Sequence, residues 1–243
     1  MKNYLIRSML NIISFALVLI TNFLLPAGRN ISQVSNSIDY LFKPAGYAFM
    51  IWLVIYFLLA VWLMRQFFCS EIEKAIYKKI GYWFSVNMLL NALWVLAFGN
   101  EHINISLLIM IGILLTLIVV YTRIQSSPNK TKLTRLPISM YLGWISIATI
   151  TNVFTVYKAN DITHLLGLNE LTWTIIMLLF GGLLGAYFTL KNNDLVYPLV
   201  FIWAYAAIIV QRKNIESITT AAWIAIALLT AVTVYNGLRN KNV

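Results

Sequence analysis

Three groups of side chains in this 243-residue chain pose the chemical question. Trp83, Asn87, Asn91, Trp94 and Phe98 recur at intervals of four, four, three and four, and Tyr141, Trp144, Ala148 and Asn152 lie at i, i+3, i+7 and i+11. Trp52 and Tyr56 stand four residues apart. On a helix with about 3.6 residues per turn each group forms one stripe. Indole, phenol and carboxamide groups stack and exchange hydrogen bonds, so their joint chemistry is recognition of a flat apolar ligand with a few polar edge atoms. A bare amide in hydrocarbon costs several kcal/mol, so Asn87 and Asn91 must point inward, to another helix or to a ligand. The plain alternative is interhelical bonding, worth about 0.6–2 kcal/mol per residue, and it is stronger for Asn87 than for Asn91. Trp83, beside Tyr82, fits an interfacial aromatic belt, whereas Trp94 lies too deep for one.

The chain lacks the groups that other membrane chemistries need. Asp39, Glu71, Glu73, Glu101, Asp161, Glu170, Asp194 and Glu216, with His102 and His164, fall in expected loops or at helix ends. Ion-coupled transporters, proton pumps and voltage sensors carry ionisable groups at mid-membrane. A retinal protein needs an embedded lysine for its Schiff base, and intramembrane hydrolases need His or Asp partners. A Walker loop and a dinucleotide fingerprint are absent from the sequence as well. The residues therefore argue against catalysis and against a required cofactor. A single cysteine, Cys69, excludes an intramolecular disulfide and a cysteine metal cluster.

The elements that must position these stripes are membrane spans. Hydrophobic residues make up 60% of the chain and charged ones 11%, with a mean hydropathy of +0.79, outside the balance of a soluble domain. Apolar runs of about 17 residues or more predict eight spans near 8–26, 46–68, 80–98, 103–124, 136–157, 171–190, 195–211 and 219–238, the seventh being the shortest. Residues 1–27 lack a convincing small-x-small cleavage site and are read as the first span. Assigning Lys and Arg to alternate loops puts thirteen of the 18 on one side, with Arg29, Lys43, Lys158, Arg212 and Lys213 on the other. The positive-inside rule then gives a multi-pass protein of the cell membrane with both termini cytoplasmic. A net charge of +10 carried in short juxtamembrane loops suits anionic headgroups of the lipid bilayer and gives no case for nucleic acid. The Asn-x-Ser/Thr triplets at Asn30, Asn104 and Asn129 read as coincidence.

Rise per residue places the special side chains in one layer. With about 1.5 Å per residue in a core about 30 Å thick, Trp52 and Trp94 lie roughly 21 Å from the inner face, Asn91 about 16 Å, Trp144 about 12 Å and Asn152 about 24 Å. Three helices and a roof from residues 27–45 then enclose an aromatic-walled space with orienting amides. A dry, packed aromatic core is the alternative.

The residues now quoted resemble those of the translocator-protein or tryptophan-rich sensory protein family (TspO/MBR). FKPAGYAFMIWLVIY puts Pro44 eight residues before Trp52 and Tyr56 four after it, LLNALW ends at Trp94, and YLGWISIATITN spaces Trp144 and Asn152 by eight. Three motifs in order cover residues 1 to about 158. The resemblance implies a five-helix bundle that binds porphyrins or other planar hydrophobic ligands, in a sensory, regulatory or transport role. It carries Pro44, Trp52, Tyr56, Asn91, Trp94, Trp144, Ala148 and Asn152 onto this chain as ligand-binding residues. The sequence departs from the family pattern where Lys43–Pro44 replaces paired prolines, where Phe49 and Met50 precede Trp52, and at Met140, with Pro137 one turn earlier.

The expected fold is therefore an all-α polytopic transmembrane bundle, with a five-helix domain over 1–158 and a three-helix extension over 159–243. Gly181 and Gly185, with Gly182 and Ala186 in parallel, predict close helix packing, favouring contacts within the chain over a homodimer. The leading function is binding of a tetrapyrrole-like ligand. The rivals are an uncoupled transporter or permease subunit for a neutral solute, and a structural or signalling partner without a working pocket.

Overall fold

The computed structural model describes residues 2–23 and 31–239. Arg29, Asn30 and the first part of the expected roof lie outside the described residues, as does Lys241. The described chain is helical almost throughout: α1 (Lys2–Phe23), α2 (Ile31–Ser37), a 3-10 turn (Gly46–Met50), α3 (Ile51–Phe68), α4 (Glu71–Ile80), α5 (Trp83–Gly99), α6 (Ile103–Gln125), α7 (Lys132–Ala159), α8 (Glu170–Asn192), α9 (Val196–Gln211) and α10 (Glu216–Arg239). A two-stranded hairpin, β1 (His164–Leu165) with β2 (Leu168–Asn169), joins α7 to α8. Among the described residues six helices are long and apolar enough to cross a membrane singly. The pair α4 and α5, bent by 53°, passes together, and α9 has 16 residues. Each expected span thus coincides with a helix.

The chain divides into two compact units, one of Met1–Ser37 with Trp52–Ile145, the other of Ile38–Ile51 with Ser146–Val243. In the first, α5 packs on both α1 and α6. Tyr4 at the start of α1 donates to the Gln66 carbonyl near the end of α3 (2.6 Å), and Trp62 of α3 donates through Nε1 to the Thr134 carbonyl in the first turn of α7 (3.1 Å). The helices of this unit therefore run up and down, with one common end. At that end lies α4, which the hydropathy pattern had left as a loop. Ser70 caps it by accepting from the Glu73 amide, the first half of a capping box. Glu73 turns its carboxylate instead to Arg65 (2.8 Å) and to the Thr131 hydroxyl (3.3 Å). The bend into α5 falls at Gly81, whose φ of +68° is readily adopted only by glycine.

In the second unit α9 supplies buried Phe201 and Tyr205, while α8 and α10 meet backbone to backbone. A Cβ on Gly182 would stand 2.9 Å from that of Ala225, and one on Gly185 would stand 2.7 Å from Leu229 Cδ2. One on Gly181 would collide with the Tyr205 hydroxyl, which donates to the Leu178 carbonyl (3.0 Å). The glycine stripe is thus consumed by packing within the chain. The hairpin turn uses Leu166 and Gly167, both with positive φ (52° and 78°), and Asn169 then caps α8 by accepting from the Thr172 amide (3.0 Å).

The segment Ile38–Ile51 is pinned by this unit. The Arg212 guanidinium bonds the Asp39 carboxylate and the Tyr40 carbonyl, Glu170 accepts from the Leu41 amide (2.6 Å) while pairing with Lys158 (2.9 Å), and the Ala45 amide donates to the Ala207 carbonyl (3.0 Å). Trp203 Nε1 donates to the Ala48 carbonyl (3.1 Å), and Phe42 stacks on Phe154 at 5.3 Å.

Two predictions follow from this packing. Gly182→Ala forces α8 and α10 apart and lowers the thermal midpoint by the equivalent of about 1–3 kcal/mol, whereas Gly112→Ala, whose methyl meets only Leu90 side-chain atoms at 3.4 Å or more, is neutral or stabilising. Thermal unfolding in detergent reads both. The hydrogen bond from Arg212 holds the Asp39 carboxyl below its usual range, so this pair contributes above about pH 4 and is lost as pH falls through the lowered value. The carboxylate is 71% exposed, which limits the pair to about 1 kcal/mol or less. The gap in thermal midpoint between the parent and Asp39→Asn should therefore close on acidification below pH 4, and a gap independent of pH would refute the pairing.

Candidate functional site

Within the first unit, α3, α5 and α7 bring four of the singled-out side chains together with Tyr141. Trp52, half-buried at the start of α3, stacks on Tyr56 (centroids 5.2 Å, planes at 26°), meets Tyr141 at a tilt (5.9 Å, 59°) and meets Trp144 edge-on (6.3 Å, 86°). Tyr56 is buried and also touches Phe15 and Phe23 edge-on. Asn91 donates through Nδ2 to the Tyr141 hydroxyl at 2.7 Å. Its Oδ1 is buried and accepts no hydrogen bond among the described residues. Turning the amide over would only exchange which of its two ends is left.

The α5 stripe fans out instead of facing one neighbour. Asn87 donates to the Ile113 carbonyl and the Thr116 hydroxyl of α6, both at 2.8 Å, which is interhelical bonding of the plain kind. Trp94 is buried and stacks on Phe98 (5.1 Å, 22°). Trp83 is 38% exposed beneath the Arg123 guanidinium, as a belt residue would be.

The remaining expected site residues belong to the second unit. Pro44 is buried in the pinned segment, Ala148 is half-buried and Asn152 is buried on α7. Lys43, where the resembling family has a proline, is buried as well and its ammonium donates to the Ile38 carbonyl (3.3 Å). Burial lowers its pKa. Ser146 accepts from Tyr197 of α9 at 3.0 Å. A groove of about 460 Å³ between α8 and α10, lined by Ile175, Leu179, Thr220 and Ile224 among others, involves none of the expected site residues.

Sequence reasoning named Tyr141 only as a member of a stripe, and its hydroxyl proves to be the partner of Asn91. The i to i+50 separation of that pair leaves no local signal. It missed the roles of Trp203, Glu170 and Arg212 in pinning Ile38–Ile51 for the same reason. The signal available was their type: a tryptophan within a helix and charges at helix ends, each with a polar group to satisfy.

The arrangement can stack and orient, and it offers no nucleophile or metal cage. Among the described residues no group of three or more His, Cys, Asp or Glu side chains could hold a metal ion. Burial pushes the Cys69 thiol above its usual range, which disfavours the reactive thiolate.

No curated protein and no solved structure matches the chain. A family model described as TSPO-like protein does, over residues 8–235. That range contains all three motifs and continues through α8 and α9 into α10. Together with the apolar helices it establishes an all-α, multi-pass membrane protein, and the chain belongs to the TSPO-like protein family.

Proposed function

We propose that this protein binds a planar hydrophobic ligand of the tetrapyrrole type within the membrane, in a sensory, regulatory or transport role. The observation that carries the reading is the convergence, in one unit, of the Trp52, Tyr141 and Trp144 rings with the Asn91 carboxamide, one polar end of which is buried without a partner. A pyrrole N–H is a donor of the kind such an acceptor takes, and stacked indoles suit the macrocycle face. Trp52 and Trp144 supply the stacking surface, Asn91 the polar contact, and Tyr56 and Tyr141 hold them in place. The resemblance to the family adds Trp94, and Pro44, Ala148 and Asn152 of the second unit, as candidate ligand-binding residues. Both termini face the cytoplasm of a cell-membrane protein in this reading, because the cation-rich loops lie on their side. Residues 1–158 form the ligand-binding part, with 159–243 as its extension, and no cofactor is required for the fold.

The permease alternative needs polar groups lining a path through α8 to α10. Ser217 and Thr220 line the groove between α8 and α10, while three hydroxyls there are occupied locally, since Thr174, Thr189 and Thr233 donate to the carbonyls of Glu170, Gly185 and Leu229 in their own helices. That use favours the binding reading.

Titration of detergent-solubilised protein with protoporphyrin IX tests it through the Soret band. A saturable shift is expected for the parent, weakened about two- to tenfold by Trp52→Phe or Trp144→Phe, since an aromatic contact of this kind is worth about 0.5–1.5 kcal/mol beyond its area. A linear response insensitive to both substitutions would mean partition into detergent and would sink the proposal. Tyr141→Phe strands the Asn91 amide and should cost about 1–3 kcal/mol of stability, read as a lowered thermal midpoint, with a weaker Soret shift.

A further inference from the structure

The end of the first unit at which α4 lies concentrates cations in a particular way. Arg7 of α1 donates to the Lys78 carbonyl (3.4 Å), and Arg123 of α6 donates to those of Lys79 (2.8 Å) and Ile80 (3.1 Å). Two guanidinium groups thus clamp the C-terminus of α4, where the helix dipole is negative. Lys78 and Lys79 remain exposed beside them, with Lys79 bonded to the Ser126 hydroxyl at 2.9 Å. Arg7 lies over the Tyr82 ring at 5.0 Å and Arg123 over that of Trp83 at 5.7 Å. The carboxylates close by are Glu71, paired with Lys74 at 2.8 Å and standing 3.9 Å from the Lys78 ammonium, and Glu73, paired with Arg65.

The same elements carry apolar side chains turned outward. Ile6 and Met9 of α1 are 44% and 58% exposed, and Val86 and Leu89 of α5 are 40% and 45%. Cations, then amphipathic rings, then an exposed aliphatic surface is the order of phosphate, glycerol and acyl chain in a lipid leaflet. We propose that the α4 terminus, with Arg7, Lys78, Lys79 and Arg123, is a built site for the phosphate of an anionic phospholipid, whose chains lie along α1 and α5. A zwitterionic lipid brings its own cation into this positive field, so the site discriminates against it. A free phosphate has the charge and lacks the chains. This reading is independent of the ligand pocket.

Native mass spectrometry of the full chain, released from dodecyl maltoside with equal amounts of dioleoyl phosphatidylglycerol and phosphatidylcholine, tests the site. Retention of phosphatidylglycerol several-fold over phosphatidylcholine is expected. Lys78→Gln with Lys79→Gln should abolish that preference, since each lysine near the surface is worth about fivefold, while Lys213→Gln keeps it. Equal retention of the two lipids, or a preference that survives the double substitution, overturns the proposal. Inorganic phosphate displacing the lipid at equal concentration would overturn the membrane reading. Should the double variant not fold, a salt series on the parent decides. Surface electrostatics screened over a few ångströms at about 1 M salt should lose most of the preference, and a salt-insensitive preference refutes the site.

Discussion

Hydrocarbon gives a polar group no second chance: whatever it bonds to must be built into the protein. The packing of this chain is largely an answer to that constraint. Asn87 reaches α6, Asn91 reaches Tyr141, and Ser85 donates to Asn11 at 2.6 Å. Tyr205 and Tyr197 find the Leu178 carbonyl and the Ser146 hydroxyl. The rule extends to irregular backbone. Residues Ile38–Ile51 leave amides and carbonyls free of any helix ladder, and Arg212, Glu170, Trp203 and Ala207 take them up. Polar residues here act first as ties, each fixing which helices are neighbours.

Against that background the Asn91 amide is distinguished by its aromatic surroundings. Gln66, Asn87 and Asn91 each keep a buried amide oxygen that accepts no hydrogen bond among the described residues, and that of Asn91 belongs to the amide bonded to the Tyr141 hydroxyl. Its neighbours Tyr141 and Trp144 are nearly fully buried, so the leftover end sits where water is scarce and a hydrogen bond is strong. A site made of neutral groups can hold and orient a ligand, and it has no means of coupling that binding to an ion gradient.

The spans were legible because a bilayer imposes length and apolarity on every helix that crosses it. The stripes carrying Trp52, Asn91 and Trp144 were legible because helical period is local. Three things were not. The helix α4 alternates charge with apolar residues and falls below the hydropathy of a span, although Ser70 and Glu73 at capping-box spacing announced its start. The partners of Asn87 and Asn91 could not be read, although interhelical bonding was the stronger expectation for Asn87, because two residues one turn apart face partly different neighbours and which neighbour depends on packing. The ties to Ile38–Ile51 span more than a hundred residues and leave no periodic trace. The glycines at 181, 182 and 185 announced a close contact, and only the structure showed that α9 and α10 of the same chain fill it.

The tie between Asp39 and Arg212 spans 173 positions, and this bears on how the protein is made. A ribosome adding about 5–20 residues per second delivers Arg212 some ten to thirty seconds after Asp39. During that interval α3 has already entered the membrane while the segment leading into it waits without its partners. The ordering of Ile38–Ile51 is therefore among the last events of biogenesis. A chain that stops before Glu170 lacks the Glu170, Trp203, Ala207 and Arg212 groups that bond this segment. The arrangement makes the ordering of the segment depend on synthesis having passed Arg212.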